Sequence, residues 1–135
     1  MPYKIEQNTA DVRVRVTGKT KKVLFSDSME GMMCVLSGGK IDLPAIQKRD
    51  VVVESCDETS LLIDFINEVL SSAFIYAEYY TKVKIRKLKD TFIDAELSGS
   101  PCDTFEEEIK AVTYAEASIE KNRKGHFETT LVFDI

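Results

Sequence analysis

The stretch Lys82-Val83-Lys84-Ile85-Arg86-Lys87-Leu88-Lys89-Asp90-Thr91-Phe92-Ile93-Asp94-Ala95-Glu96-Leu97 decides how this chain folds. Val83 and Ile85 alternate with Lys82, Lys84 and Arg86; after a turn near Lys89-Asp90, Ile93, Ala95 and Leu97 alternate with Phe92, Asp94 and Glu96. Two runs of period two joined by so short a turn form an antiparallel hairpin with one core face. No helix fits between them, so this part of the chain cannot be a parallel crossover unit.

Helices are predicted upstream of the hairpin. Leu61, Leu62, Phe65, Ile66, Val69, Leu70 and Phe74 recur at three- and four-residue spacing, behind Asp57 as N-cap and Glu58 in the first turn. An earlier helix runs from Thr20 to Leu36, with Leu24, Phe25, Met29, Met32, Met33 and Leu36 on its apolar face and Gly38-Gly39 at its end. The methionines are read as core, and Cys34 as a buried thiol. Val12, Val14 and Val16 alternate with Arg13, Arg15 and Thr17 in a strand whose arginines face solvent. Val51-Val52-Val53 reads as a buried strand. Gly99-Ser100-Pro101 is a breaker, Phe105-Glu106-Glu107-Glu108 an acidic loop or short helix, and further strands are expected around Ala111 to Glu120 and from Phe127 to Phe133. Strands cluster after the helices, which predicts an α+β fold: two helices packed on a mixed, largely antiparallel β-sheet, in a single domain over residues 1–135.

Composition removes several function classes. The chain has 135 residues, with 18 Lys plus Arg against 23 Asp plus Glu and a net charge of -5, which disfavours direct, strong nucleic-acid binding through charge. The one histidine, His126, rules out a zinc site of clustered histidines and would have to carry any Ser-His or Cys-His chemistry alone. Cys34, Cys56 and Cys102 are far apart and form no CxxC pair, as in a reducing compartment. No apolar leader or run of membrane-spanning length is evident, so a cytoplasmic protein without a membrane partner is expected. Composition assigns no oligomeric state.

Asp11 precedes a strand, and by itself reads as a turn carboxylate bonded to its own backbone. The sequence stops at Asp134-Ile135, directly after another strand. If those strands are neighbours, Asp11, Asp134 and the Ile135 carboxylate converge into an oxygen-donor set suited to Ca²⁺, Mg²⁺ or Mn²⁺. Asp64 and Glu68 share a helix face beside Asn67 and read as its polar flank rather than as an acid/base pair. Lys110, after Glu106-Glu107-Glu108, reads as a screened surface amine. Gly38-Gly39-Lys40 lacks the spacing of a phosphate loop.

Four ordered blocks carry a resemblance that spans essentially the whole chain. They are Tyr3-Lys4 through Thr9-Ala10-Asp11-Val12, Leu62 to Leu70, Ile109-Lys110-Ala111-Val112-Thr113-Tyr114, and Phe133-Asp134-Ile135. With them the sequence resembles archease, the small protein cofactor of RtcB-type RNA-splicing ligases. The resemblance implies a non-enzymatic activator that promotes guanylylation of the ligase by GTP, and so its multiple turnover, when RNA ends bearing a 2′,3′-cyclic phosphate or 3′-phosphate are joined to a 5′-hydroxyl in tRNA splicing and repair. It implies a divalent-metal site at Asp11, Asp134 and Ile135, and a functional lysine at Lys110. The pattern departs from the family at two positions, where Asn8 and Ala115 stand in place of a usual histidine. Asn8 hydrogen-bonds but does not titrate near neutral pH. Two other readings remain: a stand-alone metal-dependent phosphoesterase, and a chaperone or interaction module with a structural metal.

Overall fold

A computed structural model describes residues 3–7, 11–39 and 42–135. The chain runs β1 (Tyr3–Gln7), β2 (Asp11–Gly18), α1 (Lys21–Ser37), β3 (Gln47–Glu54), α2 (Glu58–Tyr76), β4 (Glu78–Lys89), β5 (Phe92–Pro101), β6 (Ala111–Thr113), β7 (Glu120–Lys121) and β8 (Phe127–Asp134). The α+β class stands, and the expected sheet resolves into two. One has the order β1-β2-β8-β6, with β7 also on β8; the other has the order β3-β5-β4. Every pairing between these strands is antiparallel.

Local chemistry explains the helix boundaries. The Thr20 hydroxyl accepts from the Val23 N–H, and Gly38, at φ 74°, ends α1 while its neighbour Gly39 donates to the Cys34 carbonyl. Asp57 caps α2 by accepting from the Ser60 N–H at 2.8 Å, which holds its carboxyl below the usual range. Leu24, Phe25, Met29, Met32, Met33 and Leu36 of α1 are buried, and so are Leu61, Leu62, Phe65, Ile66 and Val69 of α2. α1 packs on β2 of one sheet and β4 of the other, whereas α2 covers β3, β4 and β5 and reaches β6. Both helices therefore contribute to one continuous core. By length and composition alone α2, with 19 residues and a mean hydropathy of 1.2, could cross a membrane, a longer apolar reach than the sequence reading allowed. Here its apolar face is spent on the core.

The structure corrects several local expectations. β1, unforeseen in the polar N-terminal stretch, pairs along β2 with Ile5 opposite Val14. Val51 is buried but Val52 is 59% exposed, because only one face of β3 meets α2. Gly99, Ser100 and Pro101 continue β5 instead of breaking it. The span Ala111–Glu120 holds a three-residue strand and then a turn, with Glu116 at φ 64°. Phe105–Glu108 is loop. Cys34 is half-buried, not fully enclosed, and all three cysteines are free.

One ion pair sits inside this framework. Glu78 is buried and accepts from Arg49 Nε and Nη2, both at 3.0 Å, and from the Tyr80 hydroxyl at 2.9 Å, while the guanidinium stacks 3.7 Å above the Tyr76 ring. The Arg49 hydrogen bonds, against an opposing effect of burial, hold the Glu78 carboxyl below its ordinary value. A carboxyl whose pKa is lower folded than unfolded stabilises the protein above its unfolded pKa, and that contribution disappears as pH falls through the folded value. Urea unfolding at pH 7 and pH 3 should therefore show a smaller acid loss for Glu78→Gln than for the unmodified chain. Equal losses would remove Glu78 from the acid response.

Candidate metal and lysine site

The strand adjacency on which the carboxylate set depends is present. β2 and β8 pair along their whole length, and Asp11 lies directly opposite Asp134. Ala111 of β6 also pairs with Asp134, and the Lys110 N–H donates to the Asp134 carbonyl at 2.7 Å. Asp11, Lys110, Asp134 and Ile135 thus meet at one end of the larger sheet, although their segments are far apart in sequence. The Lys110 and Asp134 side chains are exposed and have no partner among the described residues; Asp11 is half-buried.

Arg13 modifies this corner. Two residues along β2, on the face that carries Asp11, its Nη1 donates to Asp11 Oδ1 at 3.1 Å and its Nε to Glu116 Oε2 at 2.8 Å. The expectation of a solvent-facing arginine is too simple: the Arg13 side chain is about one third exposed and tied to both carboxylates. Among the described residues no three His, Cys, Asp or Glu side chains gather into a metal cluster. The candidate donors are two side-chain carboxylates and main-chain oxygen from Ile135. They are all hard oxygens, and the two carboxylates are direct cross-strand neighbours. Like charges so placed repel, and the Arg13 guanidinium at Asp11 Oδ1 already offsets part of that repulsion. The donor chemistry is of the kind that hard divalent ions take.

The α2 face beside the site is not the plain polar flank expected. The Asp64 carboxylate accepts from the hydroxyls of Ser55 and Tyr114, and this holds the Tyr114 phenol up at about 12. Asn67 bonds both backbone groups of Val112. Glu68 is exposed and partnerless among the described residues, so it forms no working pair with Asp64. The His126 ring has no hydrogen-bond partner among the described residues; its backbone closes a turn on Asn122. Asn8 lies outside the described residues, and Ala115 is exposed in the turn after Tyr114.

A model of the archease protein family matches residues 3–135. The chain belongs to that family. "Protein archease" of Methanosarcina barkeri is 28% identical over 141 residues, covering 98% of this chain and 95% of the relative. The protein of the same name from Thermococcus kodakarensis is 29% identical over 137 residues, covering 96% and 95%. The solution structure of protein 1598 from Methanobacterium thermoautotrophicum superposes with a TM-score of 0.79 at 21% identity, covering 99% of each chain. A Thermotoga maritima crystal structure, described as an archease and possible chaperone, gives 0.63 at 18% identity, covering 98% of this chain and 96% of that one. The archease fold therefore includes both sheets and both helices, and the four blocks that carried the resemblance lie within the matched span.

Proposed function

We propose that this archease is a non-enzymatic activator of an RtcB-type RNA ligase, promoting its GTP-dependent guanylylation and its multiple turnover in tRNA splicing and RNA repair. The observation that carries the reading is the convergence of Asp11, Asp134 and Lys110 at one end of the β2–β8–β6 sheet. Asp11, Asp134 and a main-chain oxygen of Ile135 would hold Ca²⁺, Mg²⁺ or Mn²⁺. A bound ion there would supply positive charge, and exchangeable coordination positions, to a phosphate or a partner carboxylate. Lys110, immediately before β6, carries a second, compact positive charge. Arg13 ties the Asp11 side chain to the loop at Glu116 and so limits its rotamers. A site of this kind, offered to the ligase centre, favours the charge that develops during nucleotidyl transfer. The ligase holds the RNA, which suits an activator carrying a net charge of -5 in the cytoplasm.

Among the described residues the His126 ring meets no hydrogen-bonding partner, so the phosphoesterase reading lacks a nucleophile–base pair there. The interaction-module reading is favoured by exposed apolar side chains, with Ile46 at 65% and Ile75 at 74%, and by the description of the Thermotoga relative. A multiple-turnover ligation assay with the cognate ligase, GTP and a divalent ion separates the readings. The expected result is turnover that continues past one ligation per ligase only when this protein is added. Binding without stimulation would favour the interaction module, and phosphate-ester hydrolysis without ligase the phosphoesterase.

The metal is tested separately. With Ca²⁺ at about 100 times its dissociation constant, linkage gives roughly 2.7 kcal/mol of stabilisation, a rise in melting temperature of about 8–10 °C for a domain of this size. Calorimetry should show that rise for the unmodified chain and none for Asp134→Ala. A rise that survives the substitution would move the ion elsewhere.

A further inference from the structure

We propose that Asn67, assisted by Asp64, is the positioning residue of the Lys110 site: α2 grips β6 through these two side chains, and that grip sets where the Lys110 amine stands relative to Asp134. This rests on the ligase-activation reading for its consequence, but on independent geometry for its cause. The Asn67 carboxamide donates from Nδ2 to the Val112 carbonyl at 2.9 Å and accepts at Oδ1 from the Val112 N–H at 3.0 Å. It thus does for Val112 what a neighbouring strand would do. The same Nδ2 lies 3.2 Å from the Ile63 carbonyl of its own helix. Three positions earlier, on the same helix face, Asp64 takes the Tyr114 hydroxyl.

β6 needs such help. It has three residues and lies at the sheet edge, with β8 as its one strand partner among the described residues, so its own ladder is short. Lys110 lies immediately before it and is joined to Asp134 through the backbone. Letting β6 fray frees the lysine from the carboxylates it is meant to flank. Asparagine is also a weak helix former, so its place inside an apolar helix brings that helix nothing by propensity. Only a carboxamide provides the donor and the acceptor that Val112 needs from one planar group. Aspartate retains the acceptor alone, and leucine neither.

The test uses the full chain as unmodified protein, Asn67→Leu and Asn67→Asp, with Lys110→Ala as reference. Ligase turnover is titrated against each, and exchange of the Lys110 and Ala111 amides is followed by NMR. Asn67→Leu should exchange those amides roughly tenfold faster and lower the stimulation at saturation roughly tenfold, with its half-saturating concentration within about twofold of the unmodified value. Asn67→Asp should fall between, and it serves as the informative variant if the leucine form does not fold. If Asn67→Asp instead raises the half-saturating concentration and exposes amides throughout α2, that overturns the proposal. So does unchanged Lys110 amide protection, or full stimulation at saturation. Should the unmodified protein itself fail to stimulate the ligase, the ligase reading falls, and the exchange measurement alone still decides whether Asn67 positions Lys110.

Discussion

Lys110→Ala is expected to abolish stimulation of ligase turnover while leaving the protein folded. The two halves of that expectation have separate causes. The Lys110 side chain is exposed and touches no partner among the described residues, and the bond that ties this position to Asp134 comes from the main chain, which alanine keeps. A surface substitution of that kind changes stability by no more than about 0.5 kcal/mol. Loss of a charge aimed at a developing phosphate negative charge is much larger, on the order of 10²–10³ in rate. Lys110→Arg keeps the charge but replaces a compact ammonium with a broad planar fork, and should restore only part of the effect. Asp11→Ala should match Lys110→Ala in the assay and in addition lose the calcium-dependent rise in melting temperature, since it removes a metal donor. It also releases Arg13, whose Glu116 contact remains. Circular dichroism with multiple-turnover ligation at saturating GTP checks all three. Turnover unchanged in Asp11→Ala would falsify the assigned site.

Gly99→Val should cost stability on the scale of a large core truncation. Gly99 lies in β5, between Gln47 of β3 and Tyr80 of β4. A Cβ there would stand 1.9 Å from the Tyr79 carbonyl oxygen and 2.8 Å from the Tyr80 Cα. Those neighbours are backbone, so no side-chain rotation relieves the clash. The bulge between Tyr80 and Lys82 is the place where β4 approaches β5 this closely. Overpacking ordinarily costs about 1–3 kcal/mol, and a contact with rigid backbone in a central strand belongs at the top of that range or beyond. Phe65→Ala provides the scale: it empties a fully buried position beside the Phe25 ring, 5.9 Å away, and should cost about 3–5 kcal/mol. Urea unfolding of the two variants should show losses of comparable size. A Gly99→Val variant within about 0.5 kcal/mol of the unmodified chain would mean that β4 can shift without loss, contrary to the packing described.

Gly99 also illustrates why some of the fold was illegible. Beside Ser100 and Pro101 it has the composition of a turn, and only the close approach of β4 reveals that the glycine serves a strand. β3 posed the opposite problem: three consecutive valines suggested burial on both faces, but α2 covers one face of β3 and leaves Val52, on the other, in solvent. Asp64 and Asn67 looked like a solvated flank because their partners, Ser55, Tyr114 and Val112, come from other elements. Tyr3–Gln7 is a strand because β2 offers it a paired edge, not because of its own propensity. In contrast, the cap at Asp57, the buried methionines of α1, the apolar face of α2 and the β4–β5 hairpin could all be read directly, whereas Thr20, read as the first residue of α1, is its cap. Those features depend on periodicity and on neighbours a few residues away.

For the candidate site, the sequence by itself determined the ingredients: carboxylates at the start of one strand and the end of another, a lysine before a short β-branched run, and a single histidine. Tertiary structure decided their meeting. Asp11 faces Asp134 because β2 and β8 bury Val12, Val14, Leu131 and Phe133 on a common face, and slipping that register by a single residue would turn this apolar set into water. Lys110 joins them because β6 adds to the free side of β8 and α2 takes hold of Val112. Local pattern sets which face of a strand is buried; which strands become neighbours depends on the shared core, and that exists only once the whole chain has folded.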